Sequence, residues 1–204
     1  MDREDTRHGT MTTNIHLLTS ALVTANTAIT FYAWASHNGY VSQLVYLGAT
    51  WDQVAVHGEW WRLLTALFVQ LTWKHLVGNM LELWIFGNRV AAIFGLRLYL
   101  LAYLFGGCLS ELSVIWYRRD GIAFGASLGT LCLAGVLVGS YSLRMKAMSL
   151  KARWKLVALL AYCVLSTFTD IVHPTTGNIG HPLSLALGIA LGVSLNNTLP
   201  TASG

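Results

Sequence analysis

The sequence predicts an all-α, polytopic membrane protein with six transmembrane helices and an interfacial first loop, and this prediction rests on composition and on apolar segments. Hydrophobic residues make up 54% of the 204 residues, whereas charged residues make up only 11%. Soluble domains usually carry about 25% charged residues, so this composition favours a membrane protein. A helix needs about 20 apolar residues to cross a bilayer, and six stretches approach that length. These candidate spans are 16–36, 75–94, 97–117, 121–142, 154–172 and 181–198.

The basic residues are unevenly distributed over the loops between these spans. The chain carries a net charge of +4, and its densest basic cluster runs from Arg144 to Lys155, between the fourth and fifth spans. Cytoplasmic loops of membrane proteins are enriched in Lys and Arg, so this asymmetry places the N-terminus in the cytoplasm and the protein in the cell membrane. The loop bias accounts for the basic charge without a nucleic-acid partner.

A polar N-terminal tail, residues 1–14, precedes the six-helix membrane domain, residues 15–199. Two arginines in the tail and an Ala-Trp-Ala sequence ending at residue 35 resemble the flanks of a signal peptide. The apolar run between them is long for a signal peptide, and its removal would leave five spans and invert the charge pattern. We therefore predict a first transmembrane helix here, with signal cleavage as the alternative.

The longest connection, residues 37–74, is rich in tryptophan. Trp51, Trp60, Trp61 and Trp73 lie in it among few charged residues. Tryptophan favours the headgroup region of a bilayer, so this loop is expected in the outer interface, with a short amphipathic helix and with Arg62 facing solvent or a loop carbonyl. The later loops are short, which favours antiparallel neighbouring helices.

Small residues recur at intervals of four on the fourth and sixth spans. They are Gly125, Gly129, Gly135 and Gly139 on the fourth span, and Ser184, Gly188 and Gly192 on the sixth. This spacing places small side chains on one helix face, where two backbones can approach closely. We expect these two spans to pack together, which would bring Ser127 towards His181.

Four polar residues open apolar segments and are the candidate functional residues. His75 and Asn79 begin the second span and share a helical face, Ser127 lies early in the fourth, and His181 opens the sixth. If these spans run in the same direction, the four residues meet in one leaflet. Counted from Asp120 at 1.5 Å per residue, Ser127 is expected roughly 10 Å into its helix. Polar groups at that depth normally carry function, and a serine with a histidine and further hydrogen-bond donors indicates acyl transfer.

Other polar and sulfur-containing residues favour structural interpretations. Glu82 extends the face of His75 more deeply into the membrane, where an interhelical hydrogen-bond network is expected. Cys108, Cys132 and Cys163 all lie in apolar segments without metal-ligand spacing, so we expect no metal and no cofactor. Residues 125–129 fit G-x-S-x-G, but the surrounding sequence lacks the strand pattern that a soluble hydrolase needs before such a serine.

The candidate residues resemble the rhomboid family of intramembrane serine proteases over about residues 16–198. Four stretches resemble family motifs in the family's order: Trp61-Arg62, His75 through Asn79, Gly125-Ala126-Ser127, and His181 with Ser184 and Gly188. The resemblance implies a bundle of six transmembrane helices that cleaves transmembrane protein substrates in or near the membrane, without a cofactor.

The resemblance also implies a role for each candidate residue. Ser127 is expected to be the nucleophile and His181 its general base, without a third acidic member. The backbone N–H of Ser127 and the side chains of His75 and Asn79 are expected to bind the oxyanion. The structural residues of the site are expected to be Arg62, Glu82, Gly125, Ser184 and Gly188.

The chain departs from the family pattern at several positions. Leu128 replaces a glycine beside the serine, Leu131 a tyrosine, Gln70 a histidine, and Ser184 a glycine, while Pro182 directly follows the histidine. These differences predict a divergent, prokaryotic member. They also favour the alternative of a weakly active or inactive protein that binds transmembrane clients. A small transporter is disfavoured because the sequence has no internal repeat.

Overall fold

The computed structural model describes residues 3–36, 46–142, 149–172 and 179–196, and this part of the chain is mostly helical. Helices α3 and α4 each contain a π-helical turn, which we include within the helix. The α-helices are α1 (Arg3–Ala35), α2 (Trp61–Ala66), α3 (Trp73–Glu82, Leu83–Gly87 and Asn88–Phe94), α4 (Leu96–Leu100, Leu101–Phe105 and Gly106–Tyr117), α5 (Ser127–Ser142), α6 (Leu150–Val172) and α7 (Gly180–Asn196). A separate π-helical segment, Asp52–Val56, lies in the first loop.

The start of α5 differs from the sequence prediction. The fourth span was expected from residue 121, but α5 begins at Ser127. The preceding strand β2 (Ile122–Ala123) pairs antiparallel with strand β1 (Ala49–Thr50) in the first loop, and an extended backbone cannot continue a helix. Ser127 is therefore the first residue of its helix, and the expected depth of about 10 Å within that helix is wrong.

Helix α1 begins at Arg3, so it includes most of the polar tail expected over residues 1–14.

Within the described ranges, the 22-residue helix Leu96–Tyr117 alone has both the length and the mean hydropathy of a membrane span. Helices α5 and α7 are apolar but shorter. The helical fold class is thus present, whereas the count of six spans stays a prediction. Part of the Arg144–Lys155 cluster and the end of the sixth predicted span lie outside the described residues.

Helix α5 lies at the centre of the fold, and all its residues from Leu128 to Ser140 are buried. Its glycines permit close approach on two sides. A Cβ atom on Gly129 would lie 2.6 Å from the Tyr103 ring on α4, and one on Gly135 would lie 2.4 Å from the Leu185 carbonyl oxygen on α7. Since real Cβ atoms do not come this close to other atoms, both glycines are needed for this packing.

The first loop is attached to the helices by Arg62 on α2. Its side chain is only 5% exposed and donates hydrogen bonds to Glu59 and to the carbonyl oxygens of Tyr46 and Gly48. Its guanidinium also lies 4.6 Å from the centre of the Trp61 ring, a cation–π distance. Arg62 therefore faces loop carbonyls, one of the two positions that the sequence allows, and orders the loop around them.

Glu111 on α4 is a buried carboxyl group with no hydrogen-bond partner among the described residues. Because such a group loses its hydration without compensation, Glu111→Met is expected to raise the free energy of unfolding by about 1–3 kcal/mol. Thermal denaturation in detergent measures the effect, with Glu111→Gln as the control that keeps a polar group. A Met variant less stable than both the Gln variant and the wild type would show that the carboxyl group has a stabilising partner.

Candidate active site

The N-terminal ends of α5 and α7 bring a serine and a histidine into contact. Ser127 is the first residue of α5 and His181 is the second of α7. The Ser127 Oγ and His181 Nε2 atoms are 2.8 Å apart, which is hydrogen-bond distance. One helical turn after His181, the buried Ser184 hydroxyl donates to the carbonyl oxygen of Leu128. This second bond ties the first turns of the two helices together beside the Ser127–His181 pair.

The contact between α5 and α7 that the small residues predict is present. A Cβ atom on Gly188 would lie 2.1 Å from the carbonyl oxygen of Cys132, and one on Gly192 would lie 2.2 Å from that of Val136. The two backbones therefore touch without intervening side chains. This close packing sets the separation of the helix ends that carry Ser127 and His181.

His75 reaches the same place from α3. The Thr72 hydroxyl caps this helix by accepting a hydrogen bond from the His75 N–H at 3.2 Å. The His75 ring lies beside Gly125, where an added Cβ atom would be 3.0 Å from its Cε1 atom. Gly125 also has φ +109°, a conformation that residues with a side chain rarely adopt. Its N–H donates to the Ala66 carbonyl oxygen at 2.9 Å, so α2 supports the segment before Ser127.

A cavity of about 280 Å³ opens at these residues. It is lined by His75, Ser127 and His181 together with apolar residues that include Val114 and Leu128. Asn79 is not among the lining residues. It lies one turn beyond His75 on the same face of α3, where its side chain is 3% exposed. Three of the four candidate residues thus share the cavity, and the fourth is buried one helical turn beyond His75.

Glu82 lies away from this cavity, among α3, α5 and α6. Its carboxyl group accepts a hydrogen bond from the Thr130 hydroxyl at 2.5 Å and another from the Tyr162 hydroxyl. These bonds form the interhelical network that the sequence favours for this residue. No group of three or more His, Cys, Asp or Glu side chains that could hold a metal ion occurs within the described ranges.

The leucine beside the serine does not separate Ser127 from His181. The Leu128 side chain is 5% exposed and forms part of the apolar cavity wall. Gly180 leaves room for this wall, since a Cβ atom there would lie 2.6 Å from Val114 Cγ2 and 3.0 Å from Leu128 Cδ2. Leu131 is 1% exposed in the core. Both leucines are therefore accommodated by packing, and the serine–histidine contact forms beside them.

Sequence reasoning treated Gln70 only as a departure from the family pattern. The structure places it fully buried between α1 and α3, where its Oε1 atom accepts a hydrogen bond from Asn79 Nδ2 at 2.6 Å. Its Nε2 atom donates to Asn26 Oδ1 at 3.3 Å. The signal that could have revealed this cluster is the pair Asn26 and Thr30, two polar residues four positions apart and hence on one face of α1.

The protein family and the known proteins that this chain matches are all named as rhomboid. The model of the Rhomboid domain family matches residues 57–197. RHOMBOID-like protein 6, mitochondrial, of Arabidopsis thaliana is 31% identical over 162 residues, which cover 76% of this chain and 50% of that protein. Rhomboid protease GluP of Bacillus subtilis is 34% identical over 103 residues, 50% of this chain and 20% of that protein. Rhomboid-like protease 2 of Toxoplasma gondii is 27% identical over 157 residues, 75% of this chain and 54% of that protein.

The chain spans about half the length of the Arabidopsis relative and a fifth of the Bacillus relative. These relatives come from a plant, a bacterium and an apicomplexan, so they leave the expected prokaryotic origin as an expectation. The matched region contains all four candidate residues and the loop residue Arg62.

Proposed function

The chain belongs to the rhomboid family, and from this membership and the site geometry we propose that it is an intramembrane serine protease that uses Ser127 and His181 as a catalytic dyad. The observation that carries the proposal is the 2.8 Å distance from Ser127 Oγ to His181 Nε2. At this distance a neutral imidazole can accept the hydroxyl proton as the oxygen attacks a peptide carbonyl carbon. The relatives named as proteases support the same activity.

The reaction proceeds in two steps. Attack by Ser127 forms a tetrahedral intermediate, and protonated His181 then gives its proton to the leaving amine, which yields an acyl-enzyme. Water activated by His181 hydrolyses the ester and releases Ser127. His75, Asn79 and the Ser127 N–H stabilise the negative charge on the oxygen of each tetrahedral intermediate.

The substrates are membrane proteins, cleaved in or near a transmembrane segment. Val114, Ile122 and Leu128 form an apolar wall beside Ser127, which suits an apolar substrate side chain. A transmembrane helix must unwind locally to be cleaved, because its backbone hydrogen bonds otherwise hide the peptide carbonyl groups.

The charge asymmetry supports a multi-pass protein of the cell membrane with its N-terminus in the cytoplasm and the catalytic dyad towards the opposite face.

The proposal is tested by labelling purified, detergent-solubilised protein with a fluorophosphonate probe. Wild type should label, whereas Ser127→Ala and His181→Ala should each lose labelling, because the probe reacts with an activated serine. Ser113→Ala is a matched control, since Ser113 is a partly buried serine whose hydroxyl donates to the Ser110 carbonyl oxygen in its own helix.

Unlabelled wild type, beside a labelled rhomboid protease measured in parallel, would overturn the protease proposal. The second candidate function, binding of transmembrane clients without cleavage, would then account for the site. The observation that favours this second function is Leu128, whose side chain lines the cavity next to the serine, where the family motif has a glycine.

A further inference from the structure

A chain of side-chain amides leads from α1 to Asn79. Asn26 on α1 and Gln70 in the segment before α3 are both completely buried, and Asn79 is 3% exposed. Asn26 contacts Gln70, and Gln70 contacts Asn79, at the distances of 3.3 Å and 2.6 Å given above. Each link joins the nitrogen of one amide to the oxygen of the next, so the orientation of each amide determines that of its neighbour.

The orientation of all three linked amides is fixed by Asn26 on α1. Asn26 Nδ2 donates to the Leu22 carbonyl oxygen at 3.0 Å, and a carbonyl oxygen can only accept. Asn26 must therefore direct Oδ1 to Gln70, which must donate from Nε2 and direct Oε1 to Asn79. Asn79 must in turn direct Nδ2 to Gln70. A half-turn of any one amide would bring two oxygen atoms or two N–H groups together in a buried place.

The backbone of the segment that contains Gln70 also forms hydrogen bonds with α1. The Gln70 N–H donates to the Thr30 hydroxyl oxygen at 3.2 Å, and the Thr30 hydroxyl donates to the Phe68 carbonyl oxygen at 3.3 Å. Gln70 thus approaches Asn79 from a segment that α1 fixes by both backbone and side-chain bonds. The Gln70 Oε1 atom also lies 3.7 Å from the position of a Cβ atom on Gly125, so the middle amide lies beside the segment that leads into Ser127.

We propose that Gln70 and Asn26 are positioning residues that fix the amide of Asn79 with its nitrogen, and not its oxygen, available to the substrate oxyanion. The Asn79 nitrogen carries two hydrogen atoms, of which Gln70 binds one and the oxyanion receives the other. An asparagine amide turned by half a turn occupies nearly the same space but presents an oxygen, which repels a negative charge. This inference rests on the proposed protease function, because it assigns Asn79 a donor in that reaction.

The test is steady-state cleavage of a transmembrane peptide substrate by reconstituted protein. Gln70→Met keeps the side-chain length and removes both amide bonds, so kcat is expected to fall about tenfold to a hundredfold while KM stays the same. In an Asn79→Ala background the same substitution should have no further effect on kcat, because Gln70 acts through Asn79. If Gln70→Met does not fold, Asn26→Leu is the second variant. It removes the amide that orients Gln70, and the same changes in kcat and KM are expected.

Thr19→Val is the matched control. Thr19 is also fully buried on α1, seven residues before Asn26, and its hydroxyl donates to Asn88 Oδ1 on α3 at 2.6 Å. It should lower thermal stability without changing kcat. Equal kcat for Gln70→Met and wild type, or a further loss of kcat in the Asn79→Ala background, overturns the positioning role. An inactive wild type overturns the protease proposal itself, and the positioning role with it.

Discussion

Gly188→Val is expected to abolish fluorophosphonate labelling of Ser127 and to lower the thermal stability of the protein. The first atom of the new side chain would lie 2.1 Å from the Cys132 carbonyl oxygen and 2.9 Å from the Gly135 Cα atom. Both are backbone atoms of α5, so no side-chain rotation relieves the clash. Overpacking of a core typically costs about 1–3 kcal/mol, and this contact of a side-chain atom with fixed backbone atoms is expected at the upper end of that range.

The loss of labelling follows because the two helices must separate. Ser127 and His181 lie on the first turns of α5 and α7, and their 2.8 Å contact has little tolerance for a shift of either helix. The matched control is Ala190→Val, which places a valine on the exposed side of α7. Gly188→Val protein that labels fully and melts at the wild-type temperature would show that α5 and α7 do not touch at this position.

His75→Ala and Asn79→Ala are each expected to reduce turnover about 10²–10³-fold, the usual effect of removing one oxyanion donor. The proposed Ser127–His181 dyad remains intact in both variants, so residual turnover should still be lost on Ser127→Ala substitution. The quantity to measure is kcat on a transmembrane peptide in liposomes. Lys74→Ala serves as the control, because Lys74 is an exposed neighbour of His75 on the first turn of α3.

The two substitutions should differ in their effect on stability. Asn79→Ala removes the 2.6 Å hydrogen bond to the buried Gln70 Oε1 atom, and loss of such a bond typically costs about 1 kcal/mol. His75 is half-buried at the cavity and its substitution should cost less. Wild-type kcat in either variant would remove that residue from the oxyanion site.

Much of the site was predictable because its residues follow from helical spacing. The interval of four between His75 and Asn79 gives one helix face, and the glycines on α5 and α7 give the contact that joins Ser127 to His181. The start of α5 was not predictable from hydropathy. Residues 121–126 are apolar enough to continue a span, yet Ile122 and Ala123 pair with a distant strand in the first loop.

The amide chain escaped prediction for a similar reason. Asn26 and Gln70 are separated by 44 positions, and no periodicity connects residues on α1 with residues in a loop. Hydropathy reports each residue alone, whereas buried amides are stable only through their partners. The sequence could show Asn26 as a polar residue within the predicted first span, but the identity of its partner required three-dimensional structure.

The position of Ser127 at the very beginning of α5 has an electrostatic consequence. Helix α7 begins at Gly180, one residue before His181, and α3 begins at Trp73, two residues before His75, so three helix N-termini face one cavity. The aligned peptide dipoles of a helix are equivalent to about half a positive charge at its N-terminus. The backbone itself therefore creates a positive potential around the serine, which favours any negative charge that develops there. Part of the proposed catalytic activity should consequently persist when the side chains of His75 and Asn79 are both removed.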